Sequence, residues 1–412
     1  MPSLIPVTTT RIGEHLPLLD LLPSDAPLSW VRNGEGLVGW GVHATTTVTG
    51  KDRFEQARDW WHRQLETFAI SDSVHASGTG PVLFTSFSFD RNEGSVLVIP
   101  KVIVGQKGLQ SWITWIGDTA QPLLPEKPAN TPQGTFTFNE GSITTDAWKE
   151  RVAQAITRIE KSGVDKIVLA RDLVATTTTD IDARPILTKL ATEYPSTWTF
   201  AVDGLVGATP ELLLRLSKGM VTSRVLAGTI PKTGDDAKDL ALAASLARSS
   251  KDLEEHEYAV RSVAEALEPF CSSTNVPESP YVLHLANVMH LATDVTGALI
   301  KSKQRVDAFS LLDSLHPSAA VCGTPRNIAF DIIEEIEGMN RGRYAGPVGW
   351  IDASGDGELG IALRTGQISS KEIRIYAGCG IVAGSNPEKE LEESAAKMIP
   401  MKSALHQDSV AN

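Results

Sequence analysis

Cysteine is scarce in this chain. Only Cys271, Cys322 and Cys379 occur among 412 residues, far apart and with no C-x-x-C spacing. An odd, dispersed set like this supports neither a disulfide framework nor a cysteine zinc site. Long apolar runs are missing too: none approaches the ~20 residues of a membrane helix. The N-terminus, MPSLIPVTTTR, lacks a basic stretch followed by an apolar core, so no signal peptide is expected. The expectation is a reduced, cytoplasmic protein. Positive charge is in deficit, with 38 Lys and Arg against 50 Asp and Glu, a net charge of −12. That makes nucleic acid and anionic membrane poor candidates as partners, and neither is expected. It leaves small anions open, because a local cluster of cations, backbone N–H groups or a metal can reverse the sign. The 33 Gly and 23 Pro follow no period, and no internal repeat or low-complexity tract is present. What remains is ordinary for a folded globular chain: 42% hydrophobic and 21% charged residues.

The first 140 residues hold short β-like runs such as Pro81–Asp90 and Ser95–Val104. Gln121–Gly134, with four prolines, reads as a surface loop. Helical spacing of Trp148, Val152, Ala155, Ile156 and Ile159 predicts an amphipathic helix over Asp146–Ser162, ended by Gly163. A strand follows at Lys166–Leu173. Hairpins follow at Trp198–Val202 with Leu205–Ala208, and at Glu211–Leu216 with Val221–Val225. Helices are expected at Asp235–Arg248 and Ser250–Phe270. Further strands are expected at Pro347–Asp352, Glu358–Ile368 and Glu372–Tyr376, and a last helix from Pro387 with Ser385 or Asn386 as cap. Helices set among hairpins, without strict β-α-β alternation, predict antiparallel or mixed sheets with helices packed outside them.

Two motifs mislead. Gly378–Ala383 fits G-x-G-x-x-A, but Ile381 and Val382 read as extended and no helix opens there, so a dinucleotide site is not expected. Asp352–Glu358 resembles the start of a calcium loop, yet Leu363 stands where the bidentate Glu belongs, so a hairpin turn is the better reading. Other constellations hold more. Asp252 and Glu255 share one helix face, as do Glu390 and Glu393, with Lys397 one turn on. Two such faces opposed would make an oxygen-rich site for a hard cation, whereas Glu393 and Lys397 alone are an ordinary surface pair. Arg364 in an apolar strand is either an edge residue or an anion clamp. Lys166 is either a solvated strand end or a desolvated lysine. Glu211, before three leucines, is either a raised-pKa acid or a water-facing carboxylate. His290 reads as a satisfied core histidine.

Taken together, these segments resemble the chorismate-utilising enzymes, and among them the isochorismate synthases. The matching runs are KIVLAR (166–171), GATPELLL (207–214), AGT (227–229), SSKDLEEH (249–256), MHLAT (289–293) and LHPSAAVCGTP (315–325). RYAGPVGWIDASGDGELGIALR (343–364) and AGCGIVAGSNPEKELEES, followed by Lys397, complete them in family order. FSFD (87–90) and VLVIP (96–100) match the weaker N-terminal half. The resemblance implies one large α/β (α+β) domain over 1–412, like anthranilate synthase component I. Its layered, mainly antiparallel sheets are covered by helices, with a weaker half at 1–140 and a motif-bearing half at 141–405.

The resemblance also implies roles. Lys166 matches a general base and Glu211 a general acid. Glu255 and Glu393 match Mg2+ ligands, with Asp252 and Glu390 as supporting acids. Tyr344, Arg364, Gly378, Gly380 and Lys397 match groups around the substrate carboxylates. Ala227, Gly228 and Thr229, with His290, Ala292 and Thr293, are implied to line the substrate. Chorismate carries two carboxylates, which a protein of net charge −12 must offset locally. The implied reaction moves a ring hydroxyl from carbon 4 to carbon 2, with a lysine taking a proton from water and a glutamic acid protonating the departing hydroxyl. A lysine here implies water as nucleophile. It sets the chain apart from anthranilate and aminodeoxychorismate synthases, and no glutamine amidotransferase partner is expected. A salicylate synthase, which goes on to expel pyruvate, is the alternative; Ala292 resembles the isomerising enzymes. A binding module that kept the fold without catalysis would be expected to have lost one of these groups. Lys232, Ser318-Ala319 and Glu390-Leu391 depart from the usual Arg, Thr-Pro and Glu-Trp.

Overall fold

Period-two alternation in the β-like runs builds two stacked sheets. The computed structural model describes residues 3–406 except 14, 126, 128–133 and 302–305. The two sheets part at the long strand Ser95–Lys107, whose two halves pair with different neighbours on one edge. From its second half one sheet runs through Gln110–Ile116 to Ile5–Ile12 and Phe68–Asp72. Across Glu35–Val48 the same sheet continues through Leu28–Arg32, Trp198–Val202, Leu205–Thr209, Thr365–Ser369, Glu372–Ile381 and Lys166–Thr176. From its first half the other sheet runs through Val82–Ser86, Pro347–Asp352, Gly357–Ile361, Leu212–Ser217, Met220–Pro231 and Val288–Leu299. Among these pairings only Ile5–Ile12 with Phe68–Asp72 is parallel. Each sheet therefore joins strands from the N-terminal part of the sequence to strands from the C-terminal part.

Side-chain direction explains the layering. Trp30, Trp198 and Phe200 of the first sheet meet Phe84, Val348 and Trp350 of the second in an aromatic-rich layer between the sheets. Their neighbours Val31, Ala201 and Val206 point the other way, beneath the helices Ala183–Glu193 and Pro387–Leu405. On the second sheet Leu83, Leu214 and Ile351 face outward beneath Arg53–Leu65, Ser250–Leu267 and Ala308–Leu315. Layered antiparallel sheets covered by helices are thus the observed architecture. Among the described residues, no helix is long and apolar enough to cross a membrane.

Local chemistry sets the helix ends. Thr144 Oγ1 accepts the Ala147 N–H at the start of Thr145–Ser162, and Gly163, at φ 67°, ends it. Asn386 caps Pro387–Leu405 by accepting the N–H groups of Glu388 and Lys389. The Asp352 carboxylate accepts the N–H groups of Ser354 and Asp356, closing the hairpin turn expected there in place of a calcium loop. The proline-rich Gln121–Gly134 stretch lies partly outside the described residues.

One expectation fails. Glu358–Ile368 is not one strand. Gly357–Ile361 belongs to the second sheet and Thr365–Ser369 to the first. The chain crosses between them over Ala362–Arg364, with Arg364 at φ 49°. The strand expected at Glu372–Tyr376 runs on to Ile381, so the G-x-G run is strand and no helix opens until Pro387. Four helices went unread: Arg53–Leu65, Ala183–Glu193, Ala308–Leu315 and Arg326–Ile336.

Candidate active site

Lys166 opens the strand Lys166–Thr176, which pairs with Glu372–Ile381. A Cβ on Gly380 would sit 2.6 Å from Lys166 Cε. Glycine is therefore what lets the lysine stem lie across the neighbouring strand. The stem is 11% exposed, and its Nζ donates to Glu255 Oε1 at 2.7 Å. Glu255 projects from Ser250–Leu267, whose cap, Ser249 Oγ, accepts the Asp252 N–H. Opposite stands Pro387–Leu405 with Glu390, Glu393 and Lys397. Lys397 Nζ donates to Glu393 Oε1 at 2.6 Å and to the Gly378 carbonyl at 2.9 Å. The i, i+3 spacing on each helix thus delivers all four carboxylates to one cavity of about 260 Å³.

The facing wall is drier. Glu211 follows Thr209 and Pro210 at the entry to Leu212–Ser217 and is buried. Burial pushes its carboxyl up to about 8, against the pull of Lys166 and Lys397. At neutral pH it is a carboxylic acid able to donate. Burial lowers the Arg364 guanidinium somewhat, but an arginine stays charged. Its place at the crossing between sheets turns it into the cavity rather than to an edge. Burial, then Arg364 and Lys397, drive His290 down to about 3, so it is neutral; its Nδ1 lies 3.0 Å from Thr229 Oγ1. Tyr344 stacks on Tyr376 with centroids 5.2 Å apart, and burial pushes its phenol up to about 12. Burial opposes the Lys397 charge, but the Glu393 carboxylate more than offsets it and holds the ammonium above its usual range. Lys397 in turn holds Glu393 below the usual carboxylate range.

Ala227, Gly228 and Thr229 form the remaining edge. Gly228, at φ 74°, sits in a bulge whose Cβ would press on Asp252 at 3.1 Å. The cavity thus gathers Lys166, Glu211, Ala227, Gly228, Thr229, Asp252, Glu255, His290, Tyr344, Arg364, Gly378, Gly380, Glu390, Glu393 and Lys397. Two expected liners stand outside its wall. Ala292 is buried in Val288–Leu299 opposite Leu226, and Thr293 Oγ1 pairs with His256 Nε2 at 2.8 Å. Besides apolar and backbone liners, the wall includes two polar side chains that the sequence does not point to, Arg341 and Tyr376. Arg341 donates to Glu337 and to the carbonyls of Val168 and Val321, fixing the start of the Lys166 strand. Its only sequence signal is the spacing of Glu337 and Arg341 in EGMNR.

The donor set fits a hard cation. Among the described residues, one group of metal-capable side chains closes to within 4.8 Å: Cys379, Glu390 and Glu393. Burial drives the Cys379 thiol strongly upward, away from the thiolate a soft metal needs. Of that group the carboxylates of Glu390 and Glu393 remain, with Asp252 and Glu255 outside it on the facing helix; oxygen ligands of this kind would suit Mg2+. Lys166 holds Glu255, and Lys397 holds Glu393.

Residues 28–406 match the family model of the chorismate binding enzymes. The chain is 32% identical to isochorismate synthase MenF of Bacillus subtilis (strain 168), over 90% of this chain and 85% of that protein. The crystal structure of DhbC from Bacillus anthracis superposes with a TM-score of 0.79 at 31% identity, covering 94% of this chain and 98% of that one. Anthranilate synthase component I from Streptococcus pneumoniae TIGR4 shares the fold, with a TM-score of 0.74 at 20% identity over 90% and 92% of the two chains.

Proposed function

This chain belongs to the chorismate-binding enzymes, and we propose that it is an isochorismate synthase that works through Lys166 and Glu211. The observation that carries the proposal is one cavity that brings Lys166 and a buried protonated glutamic acid together with the cations Arg364 and Lys397. Arg364 and Lys397 suit the carboxylates of a dianionic ring substrate. The Lys166 amine takes a proton from water as the water oxygen bonds to carbon 2. Both ring double bonds shift by one position, the carbon 4–oxygen bond breaks, and that oxygen leaves as water with the proton of Glu211. Base catalysis needs the lone pair on Nζ, so the contact with Glu255 has to open first. Afterwards Lys166 gives up a proton and Glu211 regains one, which restores both groups. Glu255 and Glu393, with Asp252 and Glu390 beside them, would hold Mg2+, which when bound neutralises a substrate carboxylate. His290, neutral, and Thr229 border the ring without adding charge.

Chorismate and Mg2+ alone should give isochorismate, and isochorismate should return to chorismate, since one allylic alcohol is exchanged for another. Chromatography of the mixture with a coupled pyruvate assay tests this. Stoichiometric salicylate and pyruvate would make the protein a salicylate synthase. An aminated product on adding ammonium would refute the role given to Lys166.

Gly380→Ala gives a sterically motivated test. Its Cβ would displace the Lys166 stem, so turnover should fall about tenfold or more while thermal stability changes little. Wild-type turnover in that variant would show that Lys166 is not held by this contact.

A further inference from the structure

Behind the Lys166–Glu255 pair lies a second cavity of about 450 Å³. Lys166, Glu255 and Val382 belong to the walls of both cavities. The partition is therefore the hydrogen-bonded pair itself, 2.7 Å from Nζ to Oε1, with one valine beside it. The two spaces differ in character. The front cavity presents Lys166, Arg364 and Lys397 to an anion. The rear one has Lys166 as its single cation among the described residues, with Asp165 and Glu254 at its rim. It opens on the exposed residues Asp165, Glu254, Ala383 and Gly384. The rim is fixed: the Val382 N–H donates to Ser385 Oγ at 3.1 Å, and the Ser385 N–H to the Val382 carbonyl at 3.0 Å. An acidic mouth repels a dianion and its dianionic product but admits water freely.

We infer that the rear cavity is the passage by which water reaches the reacting face beside Lys166 while substrate fills the front. The inference rests on the isochorismate synthase reading, in which each turnover adds one water at carbon 2 and releases another from carbon 4. The released water leaves on the Glu211 side, so the Lys166 side has to be refilled. The rear cavity borders that side and excludes the substrate by charge.

Gly384→Trp and Ala383→Trp plug the mouth from its exposed edge. A Cβ at Gly384 meets nothing within 4 Å, so the change is sterically open. Wild type is first assayed for isochorismate; its absence would overturn the functional reading itself and leave the passage without a reaction to serve. With isochorismate formed, each plug should lower kcat about tenfold or more with KM for chorismate nearly unchanged, the signature of an obstructed access step rather than lost binding. Tyr258→Ala widens the same cavity. Alone it should keep wild-type rates, and combined with Gly384→Trp it should restore much of the loss, which a general structural defect would not do. Wild-type kcat in both plugged variants overturns the passage. So does a rise in KM with kcat preserved, which would make the rear mouth a substrate entrance.

Discussion

Glu211→Gln is expected to lower turnover by at least ~100-fold, the lower range for a lost general acid, while making the fold more stable. Both effects share one cause. Glu211 is buried, and its carboxyl is pushed from 4.5 up to about 8. The folded protein keeps this proton where the unfolded chain has released it. Stability therefore falls as pH rises from about 4.5 to about 8, and is level outside that window. At pH 7 the penalty is roughly 3 kcal/mol. Glutamine has the same shape and no proton to lose, so it removes the penalty. Urea unfolding should show the variant and wild type alike near pH 4.5 and the variant more stable near pH 8. An equal stability difference at both pH values would mean that Glu211 is not held neutral. Activity follows the same proton in the opposite sense: wild-type turnover should decline above about pH 8 as the acid is lost. Lys166→Gln should cost turnover to a similar degree, because Gln cannot take a proton from water. Wild-type rates in Lys166→Gln would sink the water-activation mechanism.

The sequence told much of this, and its failures have physical reasons. Thr145–Ser162 was legible because its apolar spacing, Thr cap and terminal glycine agree. The hairpin Trp198–Val202 with Leu205–Thr209 was legible because its turn, Asp203-Gly204, takes positive φ at both positions. The acidic faces were legible from spacing alone, but their convergence on one cavity is tertiary. GIALRTGQI looks like a continuous strand, because nothing local marks the point where the chain leaves one sheet for the other. That crossing is why Arg364 faces the site. Arg326–Ile336 is rich in isoleucine and reads as β as readily as helix. Ala183–Glu193 carries Pro185 in its first turn, which resembles a break. Ala292 and Thr293 share one run with His290, but pairing with Leu226 and with His256 keeps them out of the wall.

Removing the divalent cation should abolish turnover, and Glu255→Gln or Glu393→Gln should do the same with Mg2+ present. The argument is one of charge. The cavity sets the carboxylates of Asp252, Glu255, Glu390 and Glu393 against the cations Lys166, Arg364 and Lys397, with Arg341 balanced by its ion pair to Glu337 and with Glu211 and His290 neutral at pH 7. A dianionic substrate raises the negative excess to three charges, in a partly desolvated space where repulsion is stronger than in water. Here two lysines absorb part of the excess, Lys166 at Glu255 and Lys397 at Glu393. Those same lysines are needed free, one as base and one for the substrate. A bound divalent cation lets both carboxylates turn away from them. This gives a prediction of opposite signs that a simple loss of structure would not produce. Without Mg2+, each Gln variant should bind chorismate at least as well as wild type, because one repelling charge is gone. With Mg2+, each should bind it more weakly than wild type and fail to turn it over, because a ligand is gone. Isothermal titration of chorismate into metal-free and Mg2+-loaded protein reads both arms. Full activity in excess EDTA would remove the cation from the mechanism. Weaker binding by the Gln variants in the absence of metal would show that Glu255 and Glu393 hold the substrate or the fold rather than a cation.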